Sequence, residues 1–292
     1  MPNMIRRYLN KIKKFKDDHL YAQEIIRRRI DTLAAIERER YVKELLSDSK
    51  YDDKKRLERY GFKVYSQYDE DGIIQEIFNR IGLGARTFVE FGVENGLENN
   101  TLKLLLEGWS GLWIEGNESH VSQINAKFRD VVSDGRLRVK SAFIDRDNIN
   151  SLIGANFSGE IDLLSIDIDG NDIHILNSIE VVRPRLIIVE YNGKFPPPLN
   201  VAQRYNPEHR WKGTDYGGSS LAAITKVAAR KGYSLVGCGI VGVNSFFVRN
   251  DLLGDRFQAP FTPENHYQPA RYFLWQTYVS GHAPDWGPYE TV

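Results

Sequence analysis

The chain has 292 residues, enough for one large α/β domain with an appendage and a sizeable core. Its 39 lysines and arginines balance 39 aspartates and glutamates, which excludes nucleic-acid binding through bulk positive charge. Cys238 is the one cysteine, which rules out an intrachain disulfide or a cysteine zinc site; with no apolar run near the ~20 residues of a membrane span and no signal-peptide core, a cytoplasmic protein is expected.

Residues 1–60 hold 17 basic and 11 acidic residues, a net +6, and leave the remainder 6 units negative. Between Met1 and Lys16 there are six basic residues and no acids, with Ile5, Leu9, Ile12 and Phe15 at helical spacing. Such a helix suits an anionic membrane surface, a partner, its own domain or a second copy of the chain, and a homo-oligomer is expected. From Leu20 to Leu46, Ile26, Ile30, Leu33 and Ile36 continue the helical period, over too few heptads to establish a coiled coil. Asp52 to Tyr60 is a polar link. Ser66 to Gly72, S-Q-Y-D-E-D-G, then leads into a helix over Ile73 to Ile81, with Asp69 and Asp71 as helix-start residues.

The stretch from Thr87 to Asn117 predicts strand, glycine turn, helix and strand. Phe88, Val89 and Phe91 suit a strand covered on both faces, and Gly92 and Gly96 bracket a turn where side chains would obstruct a ligand. The helix from Thr101 to Leu106 is expected to aim free backbone N–H groups and its dipole at that ligand. Leu112 to Ile114 form the next strand, ending at Glu115, 19 residues past Gly96, where a carboxylate can accept both hydroxyls of a ribose. The ligand implied contains adenosine. A dinucleotide fold prefers G-x-G-x-x-G, but Glu94 occupies the place of the central glycine, and a carboxylate repels a pyrophosphate while tolerating a sulfonium and an ammonium.

A helical stretch from Glu118 to Asp130 precedes a strand over Leu137 to Ile144. Ile161 to Asp172 reads I-D-L-L-S-I-D-I-D-G-N-D. Strand alternation puts Asp167 and Asp169 on one face at its carboxyl end, and the next strand, Leu186 to Tyr191, brings Glu190 and Asn192 to its tip. Converging carboxylates need positive compensation. Three sources fit: a hard cation such as Mg2+ held by Asp167, Asp169, Glu190 and Asn192, a cationic cofactor, or basic side chains of the chain itself. His174 begins the following helix within reach of the site. The run from Gly193 to Gly218, with Phe195, His209, Arg210, Trp211, Asp215 and Tyr216, reads as an acceptor-binding cap, with His209 a candidate general base. Ser219 to Arg230 is an amphipathic helix, and Tyr233 to Gly237 with Ser245 to Val248 read as a closing hairpin. The aromatic-rich residues 251–292 are expected to pack on the domain or a second subunit.

The segments V-E-F-G-V-E-N-G and W-I-E-G-N resemble the first two motifs of class I methyltransferases, and S-Q-Y-D-E-D-G and the closing S-L-A-A-I-T-K-V-A-A-R-K-G-Y-S-L-V-G with G-V-N-S-F-F-V-R resemble the FkbM-type group, over about residues 64–250. The resemblance implies a Rossmann-like α/β fold with a mostly parallel seven-stranded sheet and an antiparallel last strand, here after a helical extension over 1–60. It places the domain at 61–250 and leaves an aromatic tail at 251–292. It implies S-adenosylmethionine as cofactor, against Gln67, Glu90, Gly92, Gly96, Asn100, Thr101, Glu115, Gly116, Asn117, Ser141, Ala142, Phe143 and Asp167. The expected reaction is methyl transfer to a hydroxyl of a sugar or glycan precursor, with Asp167, Asp169, His174 and His209 as catalytic candidates. An NAD-linked oxidoreductase and a non-catalytic binding protein on the same fold stand as alternatives.

Overall fold

The computed structural model describes residues 2–274 and 281–292, with residues 2–6 and Leu9 as helical backbone alone. The chain divides into two compact units, Met1–Asp52 and Asp53–Val292. The first is built on one 44-residue helix, α1 (Pro2–Leu45). It joins the basic segment and the periodic segment without a break, and Ile5 and Leu9 lie outside the described side chains. Among the described residues no helix is long and apolar enough to cross a membrane.

The second unit starts with α2 (Glu70–Ile81) and then alternates β1 (Thr87–Phe91), α3 (Leu102–Leu106), β2 (Ser110–Glu115), α4 (Glu118–Lys127), α5 (Arg129–Ser133) and β3 (Leu137–Ser141). It continues through α6 (Ile149–Gly154), β4 (Gly159–Ile166), α7 (Asp172–Ser178), β5 (Val182–Glu190), β6 (Val201–Gln203) and α8 (Leu221–Arg230). The antiparallel β7 (Tyr233–Cys238) and β8 (Asn244–Arg249) close it, and β9 (Tyr289–Thr291) lies in the tail. Seven strands form one sheet in the order β3-β2-β1-β4-β5-β8-β7, with β8 antiparallel to both neighbours, as the expected fold requires.

Side-chain alternation explains the two layers. Val89, Phe91, Leu112 and Ile114 pack on one face with α6, α7 and α8, while Phe88 and Trp113 pack on the other with α2. Strands buried on both faces carry nearly continuous apolar runs, which is why they could be read from sequence. Phe91 pairs with Ile114 and Ile166, and Ile166 with Val189. The row just beyond is therefore Gly92, Glu115, Asp167 and Glu190, four tips at one edge of the sheet.

Three boundaries differ from expectation. The strand predicted to Ile144 stops at Ser141, because Asp145 accepts the N–H groups of Asp147 and Asn148 and turns the chain. The helix predicted over Glu118 to Asp130 breaks at Phe128, whose ring meets Trp113 edge-on at 5.2 Å. Asp69 precedes α2 but does not cap it; its carboxylate reaches across to accept the Ile240 N–H at 3.0 Å. The pairing of β6 with β9 had no sequence signal.

Candidate active site

The turn after β1 is fixed by close backbone contact. Gly92 has φ +69°, and a Cβ there would stand 1.7 Å from the Asp167 carbonyl oxygen, so only glycine lets β1 and β4 close at their tips. Glu94 also adopts a left-handed conformation, φ +48°. Its N–H donates to Glu115 at 2.8 Å, and the other oxygen of that carboxylate accepts the Asn117 N–H at 2.8 Å.

Two expectations about this turn are corrected. The amides at the start of α3 are not free: Glu90 accepts the N–H groups of Asn100 and Thr101 and the Thr101 hydroxyl, and the Asn99 side-chain oxygen accepts the Leu102 N–H. Burial pushes Glu90 up to about 7 against these bonds, which favour its charged form. Glu90, Asn100 and Thr101 are buried supports beneath the turn. Gly96 does not clear room for a ligand either; a Cβ there would meet Trp113 at 2.7 Å and Phe128 at 3.0 Å.

A cavity of about 600 Å³ opens beside the turn, lined by Glu115, Gly116, Asn117, Ala142 and Phe143 and by His209 to Trp211 of the cap. Ser141 does not reach its lining. The Arg210 guanidinium lies 4.0 Å from the centre of the Phe143 ring. His209 Nε2 stands 3.1 Å from the Asp169 carbonyl oxygen, and burial lowers the pKa of the ring.

A second cavity of about 620 Å³ adjoins the first along Gly92, Glu94, Asp167, Asp169 and Trp211. Gln67, Glu190, Asn192, Lys194, Tyr272 and His282 are among its other walls. Asp167, Asp169 and Glu190 each place a carboxylate oxygen within 4.8 Å of the others. Strand alternation is not what brings the two aspartates together, since β4 ends at Ile166. Asp172 accepts the N–H groups of Ile168 and Gly170, both at 2.8 Å, and folds a turn in which Asp169 takes φ +57°.

Burial, then Asp169 and Asp172, hold Asp167 well above the usual carboxylate range; burial, then Asp167 and Asp169, do the same to Glu190. Asp169 is open to the cavity on one side and enclosed by protein on the others; that enclosure, with Asp172, Glu94 and Glu115, raises it to about 6. Asn192 is tied to the cap: its NH2 group donates to the carbonyls of Asp215 and Gly217, while its oxygen accepts the Lys194 N–H alone. Among the described residues Lys194 is the one lysine or arginine lining this cavity, and Asp215 holds its ammonium. His174 lines neither cavity. Its ring nitrogens face Arg146 at 2.6 Å and the Gln203 carbonyl at 2.7 Å.

Residues 78–211 match the model of the methyltransferase FkbM domain. This stretch is an FkbM-type methyltransferase domain. The protein is accordingly an S-adenosylmethionine-dependent methyltransferase, and the oxidoreductase and binding-protein alternatives fall away. No curated protein matches the sequence. Among solved structures the methyltransferase is similar to magnesium protoporphyrin IX methyltransferase from Synechocystis with bound S-adenosylmethionine, at 14% identity over 62% of this chain and 77% of that one, TM-score 0.39. It is also similar to the N-terminal domain of EvdMO1 with S-adenosylhomocysteine bound, at 16% identity over 76% and 94%, TM-score 0.40. A third is an O-methyltransferase from Bacillus cereus, at 16% identity over 60% and 77%, TM-score 0.38. The family match ends at Trp211, so Asp215, Tyr272 and His282 lie beyond it.

Proposed function

We propose that the methyltransferase acts on a hydroxyl oxygen of a sugar or glycan precursor, with the adenosine of its cofactor in the cavity beside Glu115 and the acceptor in the cavity beside Glu190. The observation that carries this reading is the shared wall. The two cavities meet at Asp167, Asp169 and Trp211, so a group bound in one faces a group bound in the other. Each Glu115 oxygen accepts a single backbone N–H and keeps a lone pair for a ribose hydroxyl. Asn117, Ala142 and Phe143 line the wall where a flat base would lie, with the Phe143 ring packed where a Cβ on Gly116 would stand, and Gln67 lies in the second cavity for the methionine end.

The cofactor supplies a methyl group on a positively charged sulfur. The protein's share is to hold the acceptor oxygen in line, where orientation alone supplies roughly 7 to 11 kcal/mol. A sugar hydroxyl is a weak nucleophile until its proton is taken, and without a bound ion Asp169, raised to about 6, is suited to accept it near neutral pH. Asp167, Asp169 and Glu190 would hold a divalent cation of the magnesium class, whose chemistry is to lower the pKa of a bound hydroxyl; the Asn192 oxygen, which accepts one N–H, keeps a lone pair for the same ion. His209 lies nearer the adenosine cavity than the acceptor, which favours Asp169 as base.

Calorimetric titration with S-adenosylhomocysteine, with Mg2+ and with a chelator, joined to transfer of labelled methyl onto neutral glycosides, tests the reading. Micromolar binding with methylated sugar supports it. Binding without transfer to any sugar rejects the acceptor class, and absence of binding rejects the cofactor site.

A further inference from the structure

The basic segment and the periodic segment of the amino terminus are one helix, α1, and their apolar positions therefore belong to one stripe. Counted in sevens, Ile12, His19, Ile26, Leu33 and Arg40 occupy heptad position a, and Tyr8, Phe15, Ala22, Arg29 and Ile36 occupy position d. The stripe runs for roughly five heptads, more than the three or four at which a coiled-coil seam is recognised. Its large apolar members are exposed: Ile12 49%, Phe15 73%, Ile26 57%, Leu33 66% and Ile36 47%. The ion pairs Arg28 to Glu24 and Arg27 to Asp31 sit at positions b, c and f, away from the seam.

We infer that this face is covered by a second copy of the chain, packed antiparallel through α1. Charge decides the direction. In a parallel pair Arg29, Arg40 and Lys43 would each meet themselves in the seam, Lys11 would flank Lys16, and Glu39 would flank Glu44. In the antiparallel register that sets Ile26 against the second copy's Ala22, Ile12 meets Ile36 and Phe15 meets Leu33. The same register puts Lys11 beside Glu39, and Ile25 beside its own counterpart at the two-fold axis. His19 then faces Arg29 and Tyr8 faces Arg40, each twice by the two-fold axis, and such polar layers fix register. An anionic membrane surface fits less well, because Asp17, Asp18, Glu24, Asp31 and Glu37 interrupt the basic face.

Sedimentation of the full chain is expected to give twice its 33.6 kDa, and the double substitution Ile26→Glu with Leu33→Glu to return it to the single mass. Because Cys238 is buried, introduced cysteines report on geometry. Ile25→Cys should form a disulfide dimer on mild oxidation. Leu33→Cys should not, since antiparallel copies separate those residues by about 27 Å at 1.5 Å per residue. A wild-type chain of single mass, including one that sediments with anionic vesicles, overturns the inference. So does a dimer that survives the glutamate pair, or one cross-linked through Leu33→Cys in preference to Ile25→Cys.

Discussion

The carboxylate of Glu115 accepts the backbone N–H of Glu94 at 2.8 Å, tying the tip of β2 to the turn that follows β1. With the Asn117 N–H on its other oxygen, the side chain shapes the cavity wall as well as facing into it.

Glu115→Ala should therefore weaken S-adenosylhomocysteine binding at least tenfold, each hydrogen bond to a charged group being worth about 1.5 to 3 kcal/mol. Glu115→Gln keeps one acceptor oxygen and should fall between. Calorimetry reads the affinity, and a thermal melt separates loss of the cavity from loss of the fold.

The carboxyl cluster sets a pH dependence whose sign is fixed. The folded value of Asp169, about 6, lies above the ordinary value near 4, so between them the folded chain holds more protons than the unfolded one. Its contribution to stability is thus largest at the low end of that window and falls as pH rises through about 6. In chelator the melting temperature should show this fall. Added Mg2+ should reverse it above about pH 6 and do nothing near pH 4, where the ligands are protonated. An Mg2+ response independent of pH would count against these carboxylates as ligands.

The pairing of Lys194 with Asp215 bears on the charge of the proposed acceptor. A phosphate- or carboxylate-bearing sugar meets carboxylates and no unengaged lysine or arginine among the described lining residues, so neutral sugars should be preferred. Asp215→Asn releases the ammonium. It should raise kcat/KM for a glycosyl phosphate relative to the neutral sugar by roughly tenfold, about 1.4 kcal/mol.

The two histidines should separate cleanly. His174→Ala removes the contacts to Arg146 and Gln203 and is expected to cost about 1 to 3 kcal/mol of stability with S-adenosylhomocysteine affinity unchanged. His209→Ala opens the cavity wall beside Asp169 and should weaken that affinity with little change in the melt.

What the sequence revealed followed from periodicity. The buried strands, the glycine turn, the acidic tips and the closing hairpin all carry patterns within some ten residues. What it hid depends on where side chains end. Nothing local announces that Glu90 and Asn99 consume the amides of α3, or that Asp172 rather than strand alternation poses Asp169. Tyr272 and His282 reach the proposed acceptor cavity from a tail expected only to pack on the domain or a second subunit, and that tail's Trp275 and Tyr278 lie outside the described residues. Lys194 was findable, standing two residues after Asn192 beyond the tip of β5.

The pairing of β6 with β9 joins the cap to residues 289–291, near the far end of the chain. During synthesis the seven-stranded sheet, complete by Arg249, has all its strands well before that pairing is possible. Folding on the ribosome would then complete the sheet edge that carries Gly92, Glu115, Asp167 and Glu190 before the cap that walls both cavities is tied down. Cutting the chain before β9 would loosen the cap and leave every pairing of the seven-stranded sheet in place.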